Sequence, residues 1–254
     1  MLTAGIDMGA KNTKVVILKD DKEVLARSSV LTGFDQKASA EQALQEAVQK
    51  AGVKIADIKY VTATGVGRKA APYVTGEVTE ISANAKGGHF LFPSARVVID
   101  VGAEEGRAVR CDAQGHAKDF AINEKCAAGA GSFVEAMSRA LEVPLAEFAV
   151  LSLKSTANIP MNAQCVIFAE SEVVSLIHAK TARADISRAI HNAIADRIAS
   201  MVRRVGVEKD IILIGGVARN KGFVDALNRN LGVEVIVPEE PEYVSALGAA
   251  LTHD

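Results

Sequence analysis

Two cysteines stand at matched places in this sequence, each just ahead of a segment whose apolar residues recur at helical spacing. Cys126 lies in a run of small residues before segment 133–141, and Cys165 precedes segment 168–177. The positive end of a helix favours a thiolate. The two cysteines are therefore predicted to hold an anionic metal–sulfur centre or to serve as redox thiols. For each cysteine alone, a small buried hydrophobic side chain is the alternative.

A cubane iron–sulfur cluster usually takes four thiolates. One chain offers Cys126 and Cys165, so a cluster would imply a dimer that supplies the other two. The chain has three cysteines and no C-x-x-C spacing, which argues against a disulfide framework. The third cysteine, Cys111, alternates with charged residues on a predicted strand and is interpreted as a structural thiol.

Two Asp-x-Gly loops offer a second kind of chemistry. Asp7 and Asp100 each end an apolar run of strand-forming residues, and Gly9 and Gly102 follow two positions later. Such a turn lets backbone N–H groups approach phosphate oxygens, while the aspartate orients Mg²⁺ or its water. One loop alone is a weak signal, but two in register predict a nucleotide site. The residues that accompany the pair are Ala10, Lys11, Asn12 and Thr13 in the first loop and Ala103, Glu104 and Glu105 in the second.

A third glycine loop, Gly215-Gly216, follows the buried run 211–214. Adenosine is expected to pack on the backbone of Gly216, which has no side chain in the way, with Val217 and Asn220 beside it. A tight strand-to-helix turn is the alternative for this loop. Solvated loop positions are likewise the alternative to phosphate contact for residues 11–13.

The elements that must position these loops are repeated along the chain. Residues 99–103 match residues 6–10 at all but one position, and a strand, a turn and a strand follow each copy. The sequence therefore predicts an α/β fold of two duplicated domains, 1–95 and 96–242, with a nucleotide cleft between them. A helix of small residues within 243–254 is expected to pack back on the first domain. A strand at 233–237 and a long helix with Asp185 as its N-cap are also predicted.

Composition narrows the class of protein. Charged residues make up 24% of the 254 residues, the formal net charge is −2, and no basic cluster dominates a segment. Aromatic residues make up only 4%, so neither a nucleic acid nor an anionic membrane is expected as a partner. No apolar run approaches the roughly 20 residues of a membrane span. A cytoplasmic protein is predicted.

The order of these motifs is similar to that of the actin, Hsp70 and sugar-kinase superfamily, whose domains are RNase H-like. Within it, the segments around Cys126 and Cys165 resemble the BadF/BadG/BcrA/BcrD family. Its members include activator ATPases of 2-hydroxyacyl-CoA dehydratases and ATPase subunits of benzoyl-CoA reductases. The segments are Asn-Glu-Lys-Cys-Ala-Ala-Gly-Ala-Gly-Ser-Phe at 123–133 and Gln-Cys-Val-Ile-Phe-Ala-Glu-Ser-Glu-Val at 164–173.

This resemblance covers essentially the whole chain and implies an activity. ATP and Mg²⁺ would bind at the loops, with Asp7, Asp100, Glu104 and Glu105 as catalytic residues. A 4Fe-4S cluster would be shared across a dimer interface through Cys126 and Cys165. ATP hydrolysis would then drive low-potential electron transfer from a ferredoxin-like donor to a partner that reduces an acyl-CoA.

The second loop departs from the pattern usual in dehydratase activators. The chain reads Gly-Ala-Glu-Glu-Gly-Arg at 102–107 instead of Gly-Gly-Gln-Asp-Ser-Lys, and this wording is more similar to the D-type subunit of benzoyl-CoA reductase. An acidic pair beside a triphosphate repels it unless Mg²⁺ lies between them. Glu104 or Glu105 is therefore expected to orient the metal or the attacking water, with a slower nucleotide site as the alternative.

The prediction from the sequence is an electron-activating ATPase subunit of a benzoyl-CoA-reductase-like complex for aromatic ring reduction. Its expected partners are a homologous A-type ATPase subunit, or a second copy of itself, and larger acyl-CoA-binding subunits. One alternative is the homodimeric activator of a 2-hydroxyacyl-CoA dehydratase. Others are a small-molecule kinase of the same superfold and a nucleotide-sensing module without enzymatic activity.

Overall fold

The computed structural model describes residues 1–123, 131–161 and 165–253. Within these ranges the strand-forming apolar runs build two sheets. Their strands are β1 (Leu2–Met8), β2 (Asn12–Lys19), β3 (Glu23–Leu31), β4 (Ile58–Thr64), β5 (Gly76–Glu77), β6 (Val97–Val101), β7 (Gly106–Cys111), β8 (Ala117–Asn123) and β9 (Ile211–Ile214).

The first sheet has the strand order β3-β2-β1-β4-β5. β1 pairs antiparallel with β2 and parallel with β4, so it lies at the centre of the meander and its crossover. Asp20 and Asp21 turn the chain between β2 and β3 at φ values of 52° and 55°, a conformation that aspartate tolerates better than most residues. One face of this sheet packs against the apolar stripe of α1 (Gln36–Ala51), which Asp35 caps.

The second sheet has the order β8-β7-β6-β9. The meander β8-β7-β6 repeats β3-β2-β1, and β9 takes the place that β4 has in the first sheet. The duplication read from residues 6–10 and 99–103 is therefore confirmed at the level of topology. The predicted strand at 233–237 is reduced to a single parallel bridge between Ile212 and Ile236, because only one residue of that segment pairs with β9.

The helices follow the apolar periodicities of the sequence. Those after α1 are α2 (Glu80–Leu91), α3 (Gly131–Ala140), α4 (Leu145–Ser152), α5 (Val166–His178), α6 (Arg183–Val205), α7 (Lys221–Leu231) and α8 (Val244–Ala250). α6 begins two residues earlier than predicted, with Ala182 as its N-cap. Asp185 therefore lies in the first turn, where it accepts a hydrogen bond from the Ser155 hydroxyl at 2.6 Å.

The chain forms two compact units. The first comprises residues 1–98, 109–119 and 238–254, and the second comprises 99–108 and 120–237. Unlike in the predicted division, residues 109–119 group with the first unit, because the turn at Gly115 packs on the ring of His89 in α2. α8 belongs to the first unit, and the backbone of Gly5 in β1 lies directly against it.

Candidate functional site

The first Asp-x-Gly loop is a closed turn at the end of β1. Asp7 is buried, and its Oδ2 accepts a hydrogen bond from Lys14 Nζ at 2.6 Å. The Gly9 N–H donates to the Asn12 carbonyl at 3.2 Å, which closes the turn. Lys11 lies exposed at its tip. The loop thus places a lysine and open backbone beside a carboxylate that a second lysine neutralises, an arrangement suited to phosphate.

Several predicted residues of this loop have other partners. Thr13 is buried, and its hydroxyl lies 2.8 Å from that of Thr32, which in turn donates to the Gly9 carbonyl at 2.9 Å. Thr13 and Thr32 therefore hold the turn from within the sheet. Ala10 is exposed and Asn12 half-buried. Sequence reasoning did not identify Thr32, since β3 pairs with β2 only in the folded chain.

The second loop repeats this turn with a different charge. The Gly102 N–H donates to the Glu105 carbonyl at 2.9 Å. Arg107 is buried, and its Nη1 lies 3.3 Å from Asp100 Oδ2 while its Nη2 pairs with Glu105. One guanidinium therefore neutralises two of the loop's carboxylates. The predicted repulsion of a triphosphate by an acidic pair is correspondingly reduced to Glu104, which is exposed.

The cations of the two loops, Lys14 and Arg107, were missed in the sequence. Each follows its aspartate by seven residues. The duplicated register would have revealed them, because residue 14 of the first copy corresponds to residue 107 of the second. Each sits on the strand after its loop and reaches back to the aspartate on the strand before.

Each loop is backed by a glycine that ends the neighbouring strand. Gly65 follows β4 with a φ of 90°, and Gly215 follows β9 with a φ of 87°. A Cβ at Gly65 would lie 2.6 Å from the Met8 carbonyl oxygen, and one at Gly215 would lie 2.5 Å from that of Val101. Both positions therefore require glycine twice over, by backbone conformation and by close approach.

The third predicted loop is the turn from β9 to α7. Gly216 is exposed, and a Cβ there would meet no atom within 4 Å. The space that the sequence reserved for a flat ring is thus present on the Gly216 side, while Val217 packs into the protein. Asn220 ends the turn and caps α7, accepting a hydrogen bond from the Phe223 N–H at 3.0 Å.

A buried histidine that the sequence left without a role supports Asn220. His191 of α6 is fully buried against Phe148, with Nδ1 2.7 Å from the Ser187 carbonyl and Nε2 3.1 Å from Asn220 Oδ1. Burial lowers the pKa of His191 to about 4, although both contacts favour the protonated ring. The neutral ring therefore holds the cap of α7 in place.

The cysteines differ in their surroundings. Cys165 is half-buried at the N-cap of α5, as predicted for a thiol at the start of a helix. Cys126 lies outside the described residues. Cys111 is buried, with its Sγ 3.6 Å from the Ala95 carbonyl, in agreement with a structural thiol. Among the described residues, no group of three or more His, Cys, Asp and Glu side chains is arranged to hold a metal ion.

The helix that follows Cys126 is bonded to the second loop. The Gly131 N–H donates to the Gly102 carbonyl at 2.8 Å, and the Ser132 N–H donates to the Ala103 carbonyl at 2.9 Å. These two N–H groups at the start of α3 are thus engaged by the loop rather than turned toward a thiolate. The segment that carries Cys126 is held on its C-terminal side by the loop around Asp100.

The family model for the BadF/BadG/BcrA/BcrD ATPases matches residues 4–252. The chain belongs to this family. Its duplicated Asp-x-Gly loops and the Gly215-Gly216 turn are therefore those of a family of ATPases.

Curated relatives of this ATPase family member fall into two groups. It is 42% identical to the activator of lactoyl-CoA dehydratase from Anaerotignum propionicum over 99% of this chain and 96% of that protein. It is 36% identical to the 2-hydroxyisocaproyl-CoA dehydratase activator of Clostridioides difficile, over 99% and 94%. Its identity to the D-type subunit of benzoyl-CoA reductase from Thauera aromatica is 32%, over 98% and 92%.

Solved structures confirm the predicted fold class. Component A of the Acidaminococcus fermentans (R)-2-hydroxyglutaryl-CoA dehydratase matches with a TM-score of 0.93 at 37% identity, over 99% of this chain and 96% of that one. The Clostridium difficile 2-hydroxyisocaproyl-CoA dehydratase activator, solved with bound ADPNP, matches with a TM-score of 0.92 at 36% identity, over 99% and 93%. A Streptomyces griseus ROK-family glucokinase, 15% identical with a TM-score of 0.60 over 98% of each chain, shares the fold.

No helix within the described ranges combines the length and the apolar character needed to cross a bilayer.

Proposed function

We propose that this protein is the ATP-hydrolysing activator of a 2-hydroxyacyl-CoA dehydratase. The observation that carries the proposal is its 36–42% identity to dehydratase activators along nearly the whole chain, against 32% to the reductase subunit. The comparisons thus favour the alternative over the benzoyl-CoA reductase subunit that the second loop suggested. Loop 102–107 is six residues, whereas the higher identity to the activators extends over 251.

ATP with Mg²⁺ is the proposed ligand of the glycine loops. Lys11 and the backbone N–H groups of the first turn supply positive charge for phosphate. Asp7, Asp100 and Glu104 supply carboxylate oxygens of the kind that Mg²⁺ or its water shell prefers. Glu105 is held by Arg107, so its proposed role is to fix the turn rather than to contact the metal directly.

The residues present fit an iron–sulfur cluster as far as they are described. Cys165 is partly exposed at a helix N-cap, where a thiolate ligand is favoured, whereas Cys111 is enclosed and unsuited. Cys126 and Cys165 are the proposed ligands, completed by the same two cysteines of a second chain. When bound, such a cluster supplies one-electron chemistry at low potential.

The surface of α5 supports a homodimer. Immediately after Cys165, this helix exposes 70% of Ile167 and 63% of Phe168, with Val174 and Ile177 also exposed farther along. Large apolar side chains clustered on a surface helix are typical of an interface. A second copy packed near this end of α5 would cover them and bring its own cysteines beside Cys165. A ferredoxin-like donor and a cytoplasmic location remain predictions.

The bonds from α3 to the second loop suggest how nucleotide and cluster are coupled. A shift of Gly102 and Ala103 on binding or release of phosphate would move the start of α3 through two backbone hydrogen bonds. The Cys126 segment is continuous with that helix. We therefore propose that the nucleotide state sets the exposure of the cluster.

The test is anaerobic purification of the full chain, with iron and ATPase assays. A brown protein with about four irons per dimer is expected. Cys165→Ser should lose the iron and retain ATP binding, while the matched control Cys111→Ser should keep both. Addition to an inactive 2-hydroxyacyl-CoA dehydratase with ATP and a reductant should start dehydration.

Three outcomes would contradict the proposal. A colourless anaerobic protein that phosphorylates a metabolite would indicate the kinase alternative. Copurification with a homologous ATPase chain and larger reductase subunits would favour the benzoyl-CoA reductase complex. Nucleotide binding without turnover or activation of a dehydratase would leave a sensing module.

A further inference from the structure

Thr64 is a buried polar residue that the proposed chemistry has not yet used. It is the last residue of β4, it is fully buried, and its hydroxyl has no hydrogen-bond partner among the described residues. A buried hydroxyl that forms no hydrogen bond is unfavourable in a folded protein. A partner that forms in another state of the protein would account for it.

The position of Thr64 points to that partner. In the parallel pairing of β1 with β4, Thr64 lies directly opposite Asp7. Neighbouring strands are about 4.8 Å apart, and paired residues project from the same face of the sheet. The Thr64 hydroxyl and the Asp7 carboxylate are therefore close enough to bond after a change of side-chain rotamer. At present the carboxylate is held through Oδ2 by Lys14.

The second unit shows that the fold does not require a hydroxyl at this position. β9 occupies the place of β4, and its last residue, Ile214, is fully buried. The next residue is Gly215 with a φ of 87°, just as Thr64 is followed by Gly65 with a φ of 90°. Since an isoleucine fills the equivalent site, a reason other than packing is needed for threonine in the first unit.

We propose that Thr64 is a positioning residue for Asp7. When Mg²⁺ and nucleotide engage the first loop, the Thr64 hydroxyl donates a hydrogen bond to the Asp7 carboxylate and fixes its orientation. Lys14 is then able to turn toward phosphate without leaving the carboxylate unpaired. This inference rests on the proposed binding of ATP and Mg²⁺ at the first loop.

Thr3 provides a matched control within the same sheet. It is also buried with an unpartnered hydroxyl, and it lies opposite Tyr60 in the same β1–β4 pairing. Four residues of strand, about 13 Å, separate it from Asp7. Thr3→Val therefore removes a similar hydroxyl from the same sheet without reaching the loop.

The experiment compares Thr64→Val, Thr64→Ser and Thr3→Val in the full-length, anaerobically purified protein. One readout is the rise in Tm caused by ADP at increasing Mg²⁺ concentration, and the other is kcat and KM for ATP. Thr64→Val should raise the Mg²⁺ concentration for half-maximal stabilisation about tenfold and lower kcat about tenfold, with KM nearly unchanged, as expected for loss of a hydrogen bond to a charged group. Thr64→Ser should restore most of both, and Thr3→Val should match the wild type.

A wild-type Mg²⁺ response and kcat in Thr64→Val would overturn the inference. So would equal losses in Thr64→Ser and Thr64→Val, since serine keeps the hydroxyl, or a matching loss in Thr3→Val. If Thr64→Val does not fold, Thr64→Ala removes the same hydroxyl and is judged by the same readouts. Failure to activate a dehydratase would refute the proposed function alone, because the ADP and Mg²⁺ titration does not depend on that partner.

Discussion

The two Asp-x-Gly loops have the same backbone and opposite charge. Both close with a glycine N–H bonded to the carbonyl three residues on, at 3.2 Å in the first loop and 2.9 Å in the second. At the third turn position the first loop has Lys11, where the second has Glu104. A duplicated turn thus keeps its geometry while its charge diverges. The first loop suits phosphate oxygens directly, and the second suits phosphate bridged by Mg²⁺.

The second loop should depend more strongly on its cation. Arg107→Met leaves both Asp100 and Glu105 without that partner in a buried setting, and should lower the free energy of unfolding by about 4 kcal/mol. Lys14→Met removes the partner of one carboxylate and should cost less. Urea unfolding of both variants measures the difference. Equal losses would contradict the assignment of a two-carboxylate role to Arg107.

Acid should weaken the second unit through His191. Its pKa in the folded protein is lowered to about 4, so the unfolded chain, with an ordinary value of 6.5, binds a proton first as the pH falls. The stabilising contribution is therefore complete above pH 6.5, declines as the pH falls toward 4, and is about 3 kcal/mol smaller below pH 4.

Urea unfolding between pH 7.5 and pH 4 measures this effect. His191→Gln should show a shallower dependence on pH across that window than the wild type, because it removes one titrating group. Parallel curves for the two proteins would show that His191 does not carry the effect.

The glycines behind the two loops should respond alike. Gly65→Ala and Gly215→Ala each place a Cβ against the carbonyl of the adjacent loop strand at a positive φ. Gly52→Ala is a matched control, because Gly52 has a φ of 67° but an added Cβ there would have no atom within 4 Å. The two loop variants should each lose about 2 kcal/mol more than the control. A loss equal to that of the control would show that close approach is unimportant.

The bond between α3 and the second loop should give the smallest change in stability and a specific change in coupling. Ser132→Pro removes the N–H that donates to Ala103, at a position near the helix start where proline is tolerated, and should cost about 1 kcal/mol. ATP should then alter the rate of iron removal by a chelator less than in the wild type. Ser132→Ala keeps the N–H and should behave normally. An unchanged effect of ATP in Ser132→Pro would contradict this route of coupling.

Much of the fold could be predicted because its signals are local. The repeat of residues 6–10 at 99–103 fixed the duplicated meanders, and the apolar stripes located the helices to within one or two residues. The segment at 233–237 was the exception. Its apolar residues are typical of a strand, but only Ile236 finds a partner on β9. Strand pairing depends on what lies alongside, which periodicity does not report.

The site divides in the same way. The sequence by itself determined the turns, since Asp-x-Gly and Gly-Gly impose local backbone geometry, and it marked Asp7, Asp100 and Cys165 as candidates. Only the tertiary structure decided which groups meet them: Lys14 and Arg107 on adjacent strands, Thr64 across the sheet, and Gly131 against the second loop. These contacts join residues that are distant in the chain or on neighbouring strands, and their geometry exists only when the sheets have formed.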